Sequence, residues 1–422
     1  MVSVTPLFSQ IWQQHAPTGN IPGKANASAI YHQNQNDIII FGGKTSAGFT
    51  NDIWALNLDS MHWREIIPQS TVNPSVRHTQ NAMYDSLRNR MIIWGGQGSG
   101  LFNDIWAFDF NDTSWYNLSA NGNVSGIPLQ RYGTSSVYDP QTDNVISFAG
   151  FTTSGRFDDT WKFNIGSNTW TDETNATFPL KRCLYSGCFV PSQRKMIIYG
   201  GQNNGNLDDI WQLNIDNFTW TDITPVNKPP ARHFPSLVYD GGNNLLLFGG
   251  NGLNQNNFSG ALNDLWNFSL STQTWDTLSQ GSIKPSARIG HTAIYVQSNQ
   301  KMIVFGGNEA SGLFNNEVWE YSVGNVTSVL ETKNKEFFDV NISPNPVKNQ
   351  VNLSFELYKE QKIVIRILNL LGEQVLPPFN DNKLPKGLHT KKIDLRALLQ
   401  GVYIISIQKG LDKPYLEKII KQ

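Results

Sequence analysis

The chain of 422 residues has little of several features that define whole classes of protein. It has only two cysteines, Cys183 and Cys188, which excludes a disulfide-stabilised scaffold. Charged residues make up 16% of the chain and the formal net charge is −1. That balance does not favour nucleic acid or an anionic membrane as a partner. No apolar run is long enough to span a bilayer, so we predict no membrane span.

Helical periodicity is also scarce, whereas glycine, asparagine and aromatic residues are plentiful, which indicates an all-β protein. One pattern occurs six times: a short apolar run, a glycine pair, a polar loop and an acidic residue two positions before a tryptophan. The glycine pairs, one of which has alanine first, are Gly42-Gly43, Gly95-Gly96, Ala149-Gly150, Gly200-Gly201, Gly249-Gly250 and Gly306-Gly307. Their spacing of roughly fifty residues is typical of propeller blades.

A second tryptophan follows in the outer strand of each repeat except the last. These residues are Trp63, Trp115, Trp170, Trp220 and Trp275. Trp12 precedes the first glycine pair by about the same interval at which Trp63 precedes the second. We therefore predict that the N-terminal strand carries the missing tryptophan and pairs with the last repeat. Such pairing closes the ring and removes an open sheet edge.

The repeat resembles the kelch motif in its apolar run, glycine pair, acidic-x-Trp and outer tryptophan. A further shared feature is Pro-x-x-Arg at the start of the next blade. The resemblance implies a six-bladed kelch β-propeller over residues 1–323, closed by the N-terminal strand. Residues 324–335 lack the repeat pattern and are rich in serine, threonine, asparagine and lysine, which indicates a linker.

The arginines of the Pro-x-x-Arg segments are predicted to form a ring on the edge of the propeller that carries the loops after the glycine pairs. They are Arg77, Arg131, Arg182, Arg232 and Arg288; the first repeat has Pro22-Gly-Lys24 instead. Such a ring could bind an acidic peptide, sulfate or an acidic sugar. Alternatively, each arginine bonds loop carbonyls and an acid of a neighbouring blade. Repetition in nearly every blade favours the structural interpretation, because ligand sites usually break symmetry.

The loops themselves do break symmetry, and several carry an aromatic residue near the acid. Phe102, Phe157, Phe258 and Phe314, together with the five arginines, form the predicted binding site. Aromatic rings beside asparagine and glutamine suit a glycan or a peptide, although local packing is the alternative. No catalytic constellation, metal site or cofactor site is predicted, since the histidines near the arginines belong to different blades.

The last part of the chain has a different pattern: Ile342-Ser-Pro-Asn-Pro-Val347, then Ile365-x-Ile-x-Asn369-x-x-Gly372, Gly401-Val-Tyr403 and a basic end at Lys418-Ile-Ile-Lys421. It resembles the C-terminal sorting domain of the type IX secretion system. The resemblance implies a β-sandwich over residues 336–422, recognition by the secretion machinery and export to the surface of a bacterium of the Bacteroidetes type. The start, MVSVTPLFSQIWQQ, has no features of a signal peptide, so we expect that a leader has been removed.

The functional prediction is a secreted or cell-surface binding module, monomeric, with a protein or glycan ligand on the loop edge. The alternative is a carbohydrate-active enzyme of the kelch-propeller type, an oxidase or a sugar epimerase. An oxidase that resembles galactose oxidase would need a cysteine near a tyrosine and paired histidines, and that arrangement is not visible. We therefore predict no enzyme activity.

Overall fold

The fold comes from a computed structural model. It describes residues 11–253, 259–278, 280–281, 283–309, 311–322, 338–357, 360–369, 374–409 and 415–422. Internal contacts divide them into two compact units, one up to Ser322 and one from Phe338 onward. Strands dominate both units, and the only helical element of the described residues is a 3-10 turn at Pro191–Gln193. No helix in this part of the chain has the length and hydropathy needed to cross a membrane.

The first unit consists of six antiparallel sheets, which we call blades 1 to 6. The first strand, β1 (Ile11–His15), belongs to blade 6. Blade 1 contains β2 (Ser28–His32), β3 (Asp37–Thr45), β4 (Gly48–Asn57) and β5 (His62–Ile66). Blade 2 contains β6 (Asn81–Asp85), β7 (Arg90–Trp94), β8 (Ile105–Asp109) and β9 (Ser114–Ser119). Blade 3 contains β10 (Ser135–Asp139), β11 (Asn144–Thr152), β12 (Gly155–Asn164) and β13 (Thr169–Asp172).

The remaining blades follow the same plan. Blade 4 contains β14 (Ser186–Val190), β15 (Lys195–Tyr199), β16 (Ile210–Asn214) and β17 (Thr219–Asp222). Blade 5 contains β18 (Arg232–His233), β19 (Ser236–Tyr239), β20 (Asn244–Leu253), β21 (Ser259–Ser269) and β22 (Thr274–Thr277). The short β23 (Arg288–Ile289) joins this sheet to β26 (Asn308–Glu309). Blade 6 contains β24 (Thr292–Val296), β25 (Lys301–Phe305), β27 (Val318–Ser322) and β1.

The ring of blades is closed by the N-terminal strand, as the tryptophan spacing predicts. Strand β1 pairs antiparallel with β27, and Trp12 lies opposite Tyr321. The inner strands touch one another in cyclic order, from β2 through β6, β10, β14, β19 and β24 back to β2. The all-β propeller fold is therefore confirmed, and the described residues contain six sheets in one closed ring.

Aromatic contacts between blades repeat around the whole ring. Each outer tryptophan packs on the aromatic residue that precedes the glycine pair of the blade before it. The pairs are Trp115 with Phe41, Trp170 with Trp94, Trp220 with Phe148, Trp275 with Tyr199, Trp12 with Phe248 and Trp63 with Phe305. Their ring centroids lie 4.7–5.5 Å apart. Such pairs stabilise beyond the area they bury, so this contact accounts both for the tryptophan series and for Trp94.

The glycine pairs are required because the backbone at the end of the second strand turns with positive φ and lies against the neighbouring strand. Gly42 has φ of 63° and Gly43 has φ of 96°. A Cβ atom on Gly43 would lie 2.7 Å from the Cβ of Ala27. At the second glycine of the pair, both the conformation and the close approach exclude larger residues.

The second unit is a sandwich of two sheets around one apolar core. One sheet contains β28 (Phe338–Ser343), β29 (Gln350–Leu357) and β32 (Gly387–Asp394). The other contains β30 (Gln361–Leu368), β31 (Phe379–Leu384), β33 (Gly401–Lys409) and β34 (Tyr415–Lys421). Both sheets contribute to the core, for example through Leu353 and Ile393 on one side and Ile365 and Ile407 on the other.

Candidate functional site

The five arginines lie inside the blades and not on the surface of the loop edge. Their exposed fractions are 0–1%. The guanidinium group of Arg77 donates to both carboxylate oxygens of Asp104 at 2.7 and 2.9 Å and to the carbonyl oxygen of Gly95 at 3.1 Å. Equivalent acids pair with the others: Asp159 with Arg131, Asp209 with Arg182, Asp264 with Arg232 and Glu317 with Arg288.

The same acid also fixes the tryptophan two positions later. The Nε1 of Trp106 donates to Asp104 at 2.8 Å, and the six blades repeat this bond at 2.7–2.8 Å. The spacing acid-x-Trp therefore encodes a cluster of arginine, acid and tryptophan within each of blades 2 to 6. The expectation that each arginine reaches a neighbouring blade's acid is wrong, because the paired acid belongs to the same blade.

It is the backbone of each arginine that joins one blade to the next. The N–H of Arg131 donates to the carbonyl oxygen of Phe102 at 2.9 Å, and its own carbonyl accepts from Gly96 at 2.9 Å. Arg182 and Arg232 make equivalent bonds to the blades before them. Burial and complete pairing favour the structural interpretation of the arginines. Ligand binding by them stays a prediction that this geometry does not support.

Three of these acids are held in their charged form by the arginines. Burial alone raises the pKa of Asp209, but the hydrogen bonds and charge of Arg182 outweigh it, and the net pKa lies below its usual value. The same balance lowers the pKa of Asp264 beside Arg232 and of Glu317 beside Arg288. These three carboxylates are therefore ionised in the folded protein at neutral pH.

Lys24 is the sixth member of the series, which the sequence did not reveal because its segment is one residue shorter. The lysine is 1% exposed, and its Nζ donates to Asp52 at 2.5 Å and to the carbonyl oxygen of Gly42 at 3.2 Å. Burial lowers its pKa, although Asp52 opposes that shift. The signal that could have identified Lys24 is the acid-x-Trp of blade 1, Asp52 and Trp54, which needs a buried cation like the others.

The four predicted aromatic residues lie in different surroundings. Phe102 is buried and lies over the Arg77 guanidinium at 4.2 Å, and Phe157 lies 5.5 Å from that of Arg131. Phe314 is half-buried beside the loop of blade 6. Phe258 lies outside the described residues. The contacts of Phe102 and Phe157 with arginine favour local packing over a role in ligand binding.

The histidines near the arginines stay apart. His78, His233 and His291 belong to blades 2, 5 and 6. Burial lowers the pKa of all three, to about 4 for His78 and to about 3 for His291. Within the described ranges, His, Cys, Asp and Glu form no group of three that could hold a metal ion. Cys183 and Cys188 are free thiols, and burial raises the pKa of both.

The surface of the loop edge is not the cationic surface that the predicted arginine ring suggested. We define the loop edge as the side of the propeller that carries the loops between blades and the loops after the glycine pairs. Twelve of the fourteen exposed large apolar side chains among the described propeller residues lie there: Phe49, Ile67, Val72, Val76, Val124, Leu129, Phe178, Leu180, Val226, Leu253, Ile283 and Leu313. Only Leu87 and Tyr116 lie elsewhere.

In the second unit, the segment around Asn345 holds the end of the chain. The side chain of Asn345 donates to the carbonyl oxygen of Lys418 at 2.8 Å and accepts from the N–H of Ile420 at 2.9 Å. Val347 bonds Ile420 and Gln422 through its backbone at 2.8 and 2.9 Å. Two parts of the sequence pattern that lie some seventy residues apart therefore form one joined surface.

Blades that each repeat a cluster of buried cation, acid and tryptophan define the first unit as a β-propeller built of kelch repeats. Family models agree: residues 65–250 match the KLHDC2/KLHL20/DRC7 Kelch-repeats domain, and residues 202–364 match the Attractin/LZTR1 beta-propeller. Residues 341–422 match the secretion system C-terminal sorting domain, so the chain ends in a type IX sorting domain. The second match runs past Ser322, where the propeller strands end, into the sandwich.

Curated proteins resemble this chain at low identity, in part over a small share of their own length. Kelch domain-containing protein 10 of Xenopus tropicalis is 24% identical over 282 residues, 62% of this chain and 67% of the relative. Mei4-dependent protein 6 of Schizosaccharomyces pombe is 22% identical over 323 residues, which is 69% of this chain and 46% of the relative. Human multiple epidermal growth factor-like domains protein 8 is 29% identical over 137 residues, and the match covers only 5% of that protein.

Proposed function

We propose that the protein is exported through its sorting domain and binds a protein partner at the loop edge. The sorting domain implies secretion or display at the cell surface, and a rigid scaffold with variable loops is a common basis for recognition. The observation that supports a protein partner is the one-sided distribution of exposed apolar side chains. Contiguous exposed apolar patches mark interaction surfaces, and the loop edge is the side of the propeller where such patches can form.

A protein fits this surface better than an anionic ligand does. The arginines that could have attracted a carboxylate or sulfate are buried and paired. What the loop edge offers instead is exposed aliphatic area, such as Val226 at 97% and Leu180 at 61% exposure. Burial of such side chains against a partner is favourable by about 1.5–3 kcal/mol for each one fully covered.

Site-specific photo-cross-linking in the producing cells tests the proposal. A photoreactive amino acid is placed at Val76, Leu180 or Val226 on the loop edge, and at Leu87 and Tyr116 as controls that are also exposed but lie elsewhere. We expect one discrete adduct of the same mass from the loop-edge positions and none from the controls. Adducts from all positions alike, or from none, would show that the loop edge does not bind a protein.

A serine variant at the same positions separates a specific interface from chance proximity. Val76→Ser, Leu180→Ser and Val226→Ser combined should remove the adduct from a reporter position at Val124 and leave the thermal unfolding of the propeller unchanged, because exposed apolar side chains contribute little to stability. Leu87→Ser is the matched control and should leave the adduct intact.

A further inference from the structure

The axis of the propeller contains a cavity that none of the predicted site residues explains. It opens among the starts of the inner strands, and its walls come from all six blades. The outer part has a volume of about 180 Å³ and the deeper part about 200 Å³. The two parts share Gln80, Asn81, Ser135, Ser186 and His291, so they form one channel that begins at the loop edge.

A ring of backbone with positive φ forms the mouth of this channel. One residue of each blade takes part: Asn26, Thr79, Gly133, Leu184, Phe234 and Gly290, with φ between 54° and 66°. In the first five of these residues, the backbone N–H donates to the carbonyl oxygen of the equivalent residue in the preceding blade, at 2.6–3.2 Å. Only two of the six are glycines. Left-handed backbone is unfavourable for Thr79 and Phe234, and such strain often occurs at binding sites.

The side chains at the mouth do not follow the symmetry of the ring. Leu184 and Phe234 are neighbours and give one side of the mouth an apolar wall, whereas Asn26 and Thr79 give the opposite side a polar one. Gly133 and Gly290 separate the two walls. A mouth with one apolar and one hydrogen-bonding wall suits a ligand that has both characters itself, such as a sugar ring.

The walls further in are polar but uncharged. Hydroxyl and amide groups come from Asn81, Ser135, Ser136, Ser186 and Thr292. No Asp, Glu, Lys or Arg is among the described residues that line either part. His291 is neutral at pH 7, because burial lowers its pKa to about 3. A charged ligand would lose its hydration here and find no opposite charge, which is costly.

Two residues that line the channel each have a buried side-chain atom without a hydrogen-bond partner. Gln80 is 7% exposed, and its Nε2 donates to Ser28 and to the carbonyl oxygen of Phe41, but its Oε1 is unpaired. The Oγ of Ser136 is also buried and unpaired. A buried polar atom without a partner costs about 1–3 kcal/mol, so a donor group from a ligand at this place would be stabilising.

We propose that the channel binds an uncharged ligand the size of a single sugar ring, held by hydrogen bonds from hydroxyl or amide groups. The ligand would donate to Gln80 Oε1 and exchange hydrogen bonds with Ser136 in the deeper part, which it reaches past the apolar wall formed by Phe234 and Leu184. This inference does not rest on the proposed protein partner, because the channel and the exposed side chains of the loop edge can be altered separately.

Ligand-observed NMR titration of the full chain tests this proposal with two probes of similar size. N-acetylglucosamine carries hydroxyl groups and an amide and is uncharged, whereas glucuronate carries a carboxylate. We expect saturable binding of N-acetylglucosamine and at least roughly tenfold weaker binding of glucuronate, the ratio that corresponds to about 1.4 kcal/mol. Equal binding of the two sugars, or no saturable signal from either, would overturn the proposal.

Two variants locate the binding in the channel. Ser136→Leu removes an unpaired hydroxyl and fills the space, and Ala82→Leu fills the space from blade 2 and leaves the polar atoms in place. Both should abolish the N-acetylglucosamine signal, while Leu87→Ser, which lies off the channel, should retain it. Retention in both filled variants places the sugar elsewhere and overturns the proposal. If a filled variant fails to fold, the comparison of the two sugars on the unaltered chain still tests the proposal.

The outcome is independent of the cross-linking experiment. Loss of the protein adduct in the loop-edge serine variant, with sugar binding unchanged, supports the protein interface and leaves the channel site standing. Loss of sugar binding in Ser136→Leu, with the adduct unchanged, supports the channel site alone.

Discussion

One buried cation per blade holds the same place in all six repeats, and its pairing is the strongest residue-level constraint in the propeller. The cation joins the end of the second strand to the start of the third, while its backbone bonds the preceding blade. A side chain that links so many groups is difficult to replace. The residue is therefore repeated for structural reasons, which is why its repetition carries no information about a ligand.

Removal of one arginine should destabilise the propeller strongly. Arg182→Ala leaves Asp209 with its charge but without its partner at a mostly buried position. Breaking a buried pair in this way costs about 3–5 kcal/mol of the free energy of unfolding. Urea denaturation followed by tryptophan fluorescence measures the loss.

The control for that measurement is a pair that is similar in chemistry but lies at the surface. Lys228 and Asp208 lie 3.0 Å apart, and both side chains are partly exposed. Lys228→Ala should cost at most about 1 kcal/mol. A loss as small for Arg182→Ala would contradict the structural role of the arginines and return them to the list of candidate ligand contacts.

His291 should make the stability depend on pH in the mildly acidic range. Its pKa in the folded protein is about 3, against an ordinary value of 6.5. Between these values the unfolded chain binds the extra proton and the folded chain does not, so stability falls as the pH is lowered below about 6.5. One such group contributes a slope of up to about 1.4 kcal/mol per pH unit.

His291→Gln is the matched variant, because glutamine already occupies the equivalent position of blade 2 as Gln80. Thermal unfolding between pH 7 and 5 should show a shallower decline in this variant. The decline should not vanish, since His78 and His233 also have lowered pKa values. Identical pH profiles for the variant and the unaltered chain would show that His291 is not neutral and buried in solution.

At the scale of elements, the N-terminal strand matters most, because it completes a blade made otherwise of the last strands of the propeller. Trp12 is 1% exposed and contacts Phe248 of blade 5 and Tyr321 of blade 6. The strand therefore joins the two ends of the propeller sequence. Without it, β27 would present an unpaired edge to solvent.

Trp12→Ala should lower the free energy of unfolding by about 3–5 kcal/mol, the usual loss for a large aromatic residue in a core. Tyr116→Ala, at a half-exposed position of an outer strand, should lower it by less than about 1 kcal/mol. Differential scanning calorimetry compares the two variants. A Trp12 variant as stable as the Tyr116 variant would mean that β1 does not close the ring in solution.

The strand order and the closure could be predicted because the repeat provides six copies of the same information. The interval between tryptophans identifies Trp12 as the outer tryptophan of the last blade. Lys24 was missed, because a shortened Pro-Gly segment hides its equivalence to the arginines. The channel mouth could not be predicted at all: Asn26, Thr79, Leu184 and Phe234 share a backbone conformation but no side-chain chemistry. Which apolar loop residues stay exposed depends on packing between blades, and the sequence pattern does not contain that information.

At the scale of the whole molecule, the chain combines a closed propeller with a C-terminal sorting domain for export. Folding of the sorting domain brings two distant segments together, since the hydrogen bonds of Asn345 join the Ser-Pro-Asn-Pro segment to the last residues of the chain. Sequence patterns near residues 345 and 420 therefore describe one surface. We expect the secretion machinery to read that surface, which makes Asn345 a positioning residue for the end of the chain.

Asn345→Ala should release the end of strand β34 and reduce export without loss of the propeller. Two exposed hydrogen bonds are removed, so the sandwich should lose about 1 kcal/mol of stability. The amide of Ile420 should exchange hydrogen faster, and less protein should reach the medium or the cell surface in immunoblots of fractionated cells. Lys392→Ala, at an exposed position of the opposite sheet, is the control and should leave both readouts unchanged. Normal export together with fast exchange at Ile420 would show that the machinery does not need the end of the chain to be held in place.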